Sequence, residues 1–388
     1  MALPTIIAEV GFGSNATAAS PTWTDISGRV TELSVKRGRN TERDATETGV
    51  LTMTARNYDR AFDPAFASSL YSPNVVPIVP VRLRATFSAV TYNLYRGDVE
   101  EWPQKWTARE NLVSIPCVDG FDSLNAADVN LVSVAEDTGT RIGHLLDAAE
   151  WPASLRTLDV GKTVVQAKTY ESANVLSSIQ EMAVSESGIF YIDAAGNAVF
   201  QNRYKRQSAP YTTVQVQLSN QPISPELGYA DAKVTMDRNK IFNDAVLTQE
   251  GGTTYTSTDA TSKAKYRKRT FSATIQTSDP NEVQSYADFT VQTYKNPVVR
   301  VDEVTLEPQL DDNLWQHALG REIGDLISVE VFPPGGGAAM IIQCVIESIQ
   351  HDYTVGYWKT TWKLSRANLI AFWVLGTSQL GTGTVLGF

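Results

Sequence analysis

The 388-residue chain is poor in cysteine and histidine, has fewer cations than anions and carries no long uninterrupted apolar run. Its two cysteines, Cys117 and Cys344, lie far apart and form neither a disulfide framework nor a CxxC metal knuckle, so both read as small buried fillers. Lys and Arg total 33 against 43 Asp and Glu, a net charge of −10, and the acidic excess falls mainly in the first half. Such a balance excludes an electrostatic grip on nucleic acid or anionic lipid as the main activity. The opening MALPTIIAEVGFGSN has no basic segment leading into an apolar one, so no secretory signal is read there and the chain is expected to be made in a cytoplasm.

Enzyme chemistry lacks its usual handles. The three histidines, His144, His317 and His351, form no zincin spacing, and no HExxH, GxSxG, P-loop or EF-hand pattern occurs. His144 falls on an amphipathic helix and His351 in a strand-like run, where a structural histidine is the plain reading. The pairs Glu100-Glu101 and Asp311-Asp312 read as solvated charge rather than a glycosidase couple. Pro333–Gly337 has no following Lys-Ser/Thr and reads as a loop between strands, not a phosphate cradle. No catalytic residue, cofactor or metal ligand is expected.

What is present is alternation. Val30–Lys36 and Gly49–Ala55 alternate around a polar insert, Arg37–Thr48, read as a long hairpin loop, and Val79–Phe87, Thr91–Val99 and Asn111–Cys117 continue the strand pattern. From Thr140 the period changes. Ile142, Leu145, Leu146 and Ala149 mark one helix, and Val175, Leu176, Ile179, Met182 and Ala183 a second, starting near Ser172 and stopping at Ser187-Gly188. A hairpin, Ile189–Ile192 with Ala198–Phe200, follows. Strands return at Asp244–Gln249 and Lys268–Ile275, then a helix with Asp279 as N-cap and Pro280 at N1, then strands at Val298–Leu306, Leu326–Val331, Ala339–Gln350 and Gly356–Leu364. The expected fold class is mainly β with an α+β insert, the β-rich parts being barrels or sandwiches. The domains are 1–119 (β), 120–229 (α/β and linker), 230–366 (β with one helix) and 367–388 (an apolar C-terminal arm).

Several segments, in order, resemble a known group. Leu33-Ser34-Val35-Lys36-Arg37-Gly38-Arg39, Gly49–Met53, Asn57–Pro64 and Tyr95–Pro103 resemble the opening of minor tail proteins from long-tailed (siphovirus-type) phages of actinobacteria. Tyr170–Ala173, Gly188–Arg203, Glu322–Asp325 and the Leu-Gly units of the C-terminus extend the likeness over nearly the whole chain. The resemblance implies a tail-tip baseplate hub: a homotrimer whose two tube-like β domains per chain flank the α/β domain and form a ring continuing the tail tube. It implies a place at the virion tail tip, beside a distal-tail protein, a tape-measure protein and other minor tail proteins. DNA would pass through without specific binding, and the host cell envelope would be met indirectly.

On that reading Arg37, Arg39, Arg43 and Arg60 are subunit-contact charges, against the plain alternative of a solvated hairpin. Asp44, Glu47, Asp98, Glu100 and Glu101 are candidates for an acidic lumen that repels phosphate. The last 22 residues contain no charged side chain, and Trp373, Leu375, Leu380, Leu386 and Phe388 among them are expected to seek a groove on a partner. The competing readings are a distal-tail adaptor or a carbohydrate-binding or receptor-binding tail protein, marked by exposed Trp along a groove, and a wall hydrolase, which needs a catalytic pair.

Overall fold

The computed structural model describes residues 3–367 and the backbone of 371–372 and 384–385; Trp373, Leu375, Leu380, Leu386 and Phe388 lie outside the described residues. Period-2 burial builds the strands. In Glu47–Arg56, Leu51, Met53 and Ala55 are fully buried while Val50 and Thr52 are exposed, because alternate side chains of an extended chain point to opposite faces. The strands Val30–Gly38, Glu47–Arg56, Pro80–Phe87, Val90–Val99 and Asn111–Val118 join Arg300–Leu306, Leu326–Val331, Met340–Thr354 and Tyr357–Arg366 in one 15-stranded mixed sheet.

This corrects the expectation of two separate barrels. Strand 30–38 pairs antiparallel with strand 340–354, from Glu32↔Thr354 to Gly38↔Ser348. The two β-rich regions are therefore one hydrogen-bonded ladder, and no closed barrel forms among the described residues. Two cores remain distinct on it. One gathers residues 8–117 with Trp315, Leu319 and Trp358; the other gathers Val216 to Leu364, centred on Ile327, Ile346 and Trp362. The polar insert also proves shorter than expected, since its strands run to Gly38 and resume at Glu47.

The α/β region has its own core, built from Phe121, Ile142, Leu145, Ile179, Met182 and Phe200. Its helices Thr138–Ala148 and Val175–Glu186 begin where side chains cap them. Asp137 accepts from the Thr140 N–H, and Asn174 accepts from the Ser177 N–H, which places the second start at Val175 rather than Ser172. Residues 244–294, expected inside the second β domain, instead form a separate layer. Strand Asp244–Gln249 pairs with Thr254–Thr258 and Thr270–Ile275, and helix Pro280–Tyr294, capped by Asp279, packs Val283, Ala287 and Val291 against it. Short helices at Gly120–Ala126, Ala260–Tyr266 and Trp315–Gly320 escaped the periodicity reading because two turns or fewer carry too little pattern.

Candidate functional site: the open face of the sheet and its arginine joints

One side of the shared sheet is covered by the two cores; the other is open over its central strands and mainly polar. Strand register lines its residues in transverse rows. Ser114, Thr54, Glu32, Thr354 and Tyr357 make one row, and Pro116, Thr52, Ser34, Asp352 and Lys359 the next. A third runs Val118, Val50, Lys36, Gln350, Thr361, Thr305 and Asp231, and a fourth Ser348, Lys363, Glu303 and Lys233. Side chains in direct register across a sheet share a face, so these rows tile a single surface.

Its charges are of both signs, and several are paired. Lys36 bonds Glu47 at 2.9 Å, Lys359 meets Asp352 at 3.4 Å, and Lys363 pairs with Glu303. Burial alone would raise the Asp352 carboxyl, but hydrogen bonds from Ser34 and Gln350 and the Lys359 charge hold it below the usual carboxylate range. The four rows contain four acidic side chains (Glu32, Asp352, Glu303, Asp231) and four basic ones (Lys36, Lys359, Lys363, Lys233), and the exposed Arg56 follows Thr54 on the same face, so the cations are interspersed with anions rather than gathered into a cationic track.

Of the five lumen candidates, Glu47 reaches this face through Lys36. Asp44 is exposed on the 39–46 connection, and Glu100 and Glu101 are exposed just beyond strand 90–99. Asp98 pairs with Val118 at the end of the third row and lines a cleft. The structure does not gather the five into one acidic patch.

The arginines of the polar insert correct the picture of an exposed charged hairpin. Arg37 is 4% exposed, grips Glu322 through two bonds of 3.0 and 3.2 Å, and donates to the Leu94 carbonyl. Arg39 bonds the fully buried Glu347 at 2.7 Å; Arg206 and the Ser365 hydroxyl complete that carboxylate at 2.8 and 2.6 Å. Burial pushes the Glu347 carboxyl up, but the two guanidinium charges outweigh it and bring the group down to about 2. Arg43 lies over the Phe271 and Tyr294 rings, 4.9 and 4.6 Å from their centroids, and donates to the Tyr286 hydroxyl. Only Arg60 of the four has a half-exposed side chain, paired with Asp63 at 2.6 Å and stacked on Phe66.

The insert is therefore an internal joint, with Arg37, Arg39 and Arg43 reaching respectively the 322–325 turn, the bulged strand 340–354 and the 244–294 layer. A second joint ties that layer to the α/β region. Fully buried Glu186 accepts from the Thr138 hydroxyl and the Lys162 and Thr163 N–H groups at 2.8 to 2.9 Å and pairs with Arg203, which also reaches Glu282. Sequence reading missed Glu347, whose signal was a carboxylate inside the apolar run Ile346-Glu347-Ser348-Ile349. His351 is buried against Trp358 and Thr360, and burial brings it down to about 3; exposed His144 pairs with Glu136. Among the described tryptophans, Trp106 alone is exposed.

No family model matches the sequence, and no curated protein matches it. Solved structures do. A tail protein from Neisseria meningitidis MC58 superposes with a TM-score of 0.60 at 10% identity, over 93% of this chain and 96% of that one. The 43 kDa tail protein of prophage MuSo2 from Shewanella oneidensis superposes with a TM-score of 0.54 at 13% identity, over 94% and 97%. At these identities the likeness is one of fold, and it extends nearly end to end in both directions.

Proposed function

We propose that this chain is a structural, non-catalytic subunit of a phage tail, a hub at the tail tip, in which three copies close a ring around the tail axis. The observation that carries the reading is architectural: more than nine-tenths of the chain takes the fold of a tail protein from Neisseria and of a prophage tail protein rather than sharing a single module with them. The open sheet face supports a lumen role. Its Ser, Thr and Gln side chains and its interspersed charges of both signs suit a wall past which DNA slides, since phosphate is held by clustered, uncompensated Lys and Arg.

In that role the subunit anchors a distal-tail protein, a tape-measure protein and other minor tail proteins, and sits in the virion rather than the host envelope. A ring needs heterologous contacts, one patch on each copy meeting a different patch on the next. Native mass measurement of the purified chain, and a side-chain-resolution map of the tail tip, test the reading. Three copies around the axis, with Thr52, Ser34, Gln350 and Thr361 turned toward it, are expected; six copies, or these residues on the outer wall, would overturn it. A saccharide-binding alternative would call for several exposed tryptophans along a groove, and Trp106 stands by itself among those described.

A further inference from the structure

Where strand 90–99 meets the α/β region, the structure forms a cleft open to solvent, about 140 Å3 in volume, lined by Arg96 and Asp98 from the strand and by Leu124, Glu150, Trp151 and Ile192 from the α/β region. Its walls are held in place. The Trp151 ring lies on the first turn of helix Gly120–Ala126, where a Cβ on Gly120 would come within 2.0 Å of it, and its indole N–H donates to the Leu155 carbonyl at 2.9 Å. One Arg96 nitrogen donates to the carbonyls of Ala18 and Ala19 at 3.0 and 3.1 Å. The Gly196 turn packs against the Arg96 methylenes. On the rim Glu150 takes φ +55°, a left-handed conformation that a non-glycine residue adopts at a cost.

Asp98 is the exception in this ordered wall. Its carboxylate accepts no hydrogen bond and forms no ion pair with any described residue, although every other carboxylate discussed above within the arginine joints is paired. Burial lifts it to about 6, the Arg96 charge acting against that rise and Asp122 with it, so near neutral pH it is a half-buried anion with no hydrogen bond or ion pair to a described residue. Such a group is costly unless a cation completes it. Glu150 adds a second negative charge, while Arg96 is the one cationic side chain of the lining.

We propose that this cleft binds a small organic ammonium ion, its N–H groups on the Asp98 carboxylate and its methylenes against the Trp151 indole and the apolar wall. The size fits, because a cavity of about 150 Å3 accommodates a molecule as large as benzene. Carboxylate plus indole is the pairing that favours a cation over a neutral isostere. The site lies between the first β region and the α/β region, so occupancy would also stiffen that junction. It does not rest on the tail reading, which the copy number tests separately.

Isothermal titration of the full chain with butylammonium near pH 8, and with butan-1-ol as its neutral isostere, tests the site. Saturable one-to-one binding of the amine is expected, absent for the alcohol and weakened about tenfold or more in Asp98→Asn, which is about 1.4 kcal/mol or more. Glu110→Gln, on an exposed turn outside the cleft, should leave it unchanged. Wild-type binding should also fall as the pH is lowered from about 8 to about 5, a readout that needs no variant. No saturable binding up to about 10 mM, equal binding of the alcohol, or undiminished binding by Asp98→Asn would overturn the proposal.

Discussion

Asp98 and Asp119 show what one desolvated carboxylate does to a fold. Burial raises Asp119 to about 7, only partly offset by the N–H groups of Phe121 and Gly49 that it accepts, and raises Asp98 to about 6. A carboxyl whose folded pKa is raised binds its proton more tightly in the native state, so its contribution is present below the unfolded value near 4 and is lost as the pH rises through 6 to 7. His351 and His317, brought down by burial to about 3 and about 4, act in the opposite sense, their contribution being lost as the pH falls below 6.5. Single-site variants therefore separate the effects better than the bulk pH curve. Asp98→Asn should raise stability near pH 8 by on the order of 2 kcal/mol and change it little near pH 4, as read by urea unfolding at both values. Equal effects at the two pH values would contradict the assignment. Glu347 is the converse case: Glu347→Gln strands the guanidinium groups of Arg39 and Arg206, and a loss of about 3–5 kcal/mol is expected in the same assay.

At the scale of elements, the bulge in strand 340–354 decides how the two β regions meet. Register slips between Ile346 and Ser348, turning Glu347 inward, and Gly38 of the neighbouring strand crosses the Glu347 carbonyl at φ +105°. A Cβ on Gly38 would stand 2.2 Å from that oxygen. Gly38→Ala should therefore cost at least about 2 kcal/mol through both strain and clash, far more than a glycine replacement in open strand. If calorimetry showed it neutral, the close approach would be wrong. Helix 280–294 gives a smaller and more local expectation. Asp279 satisfies the Asn281 N–H at its first turn, and Asp279→Ala should lower stability by about 1 kcal/mol without touching the sheet. Amide exchange should localise that loss to the 244–294 layer.

For the whole molecule, the two arginine joints make the helical layers rigid attachments of the sheet rather than loosely linked modules. Buried, multiply bonded ion pairs are insensitive to salt, unlike exposed pairs such as Lys105–Glu110. The unfolding midpoint of the chain should therefore change little from low to physiological salt, as thermal unfolding at the two ionic strengths would show. The chain should also fail to retain duplex DNA at physiological salt, as an electrophoretic shift would show; a retained duplex would mean that an uncompensated basic surface is present and would count against the proposed lumen role. The open face, with its interspersed charges of both signs, carries this expectation, in place of the acidic patch read from Asp44, Glu47, Asp98, Glu100 and Glu101.

Local periodicity and cap chemistry determined much of the element list. Strands at 47–56 and 326–331, the helices after Asp137 and Asp279, and the loop at Pro333–Gly337 follow from side-chain alternation and capping residues, which act over a few neighbours and are written directly in the chain. The ordered motifs likewise pointed to a tail protein, and the fold shared with two tail proteins agrees at that coarser level. Tertiary structure decided the rest. Whether strand 30–38 ends a barrel or joins strand 340–354 depends on a hydrogen-bonded pairing across some 300 residues of sequence, for which alternation carries no address. The same holds for charge. Arg37 and Arg39 read as surface residues because a guanidinium in isolation belongs in water, and only Glu322 and Glu347, brought to them from the far end of the chain, make their burial affordable.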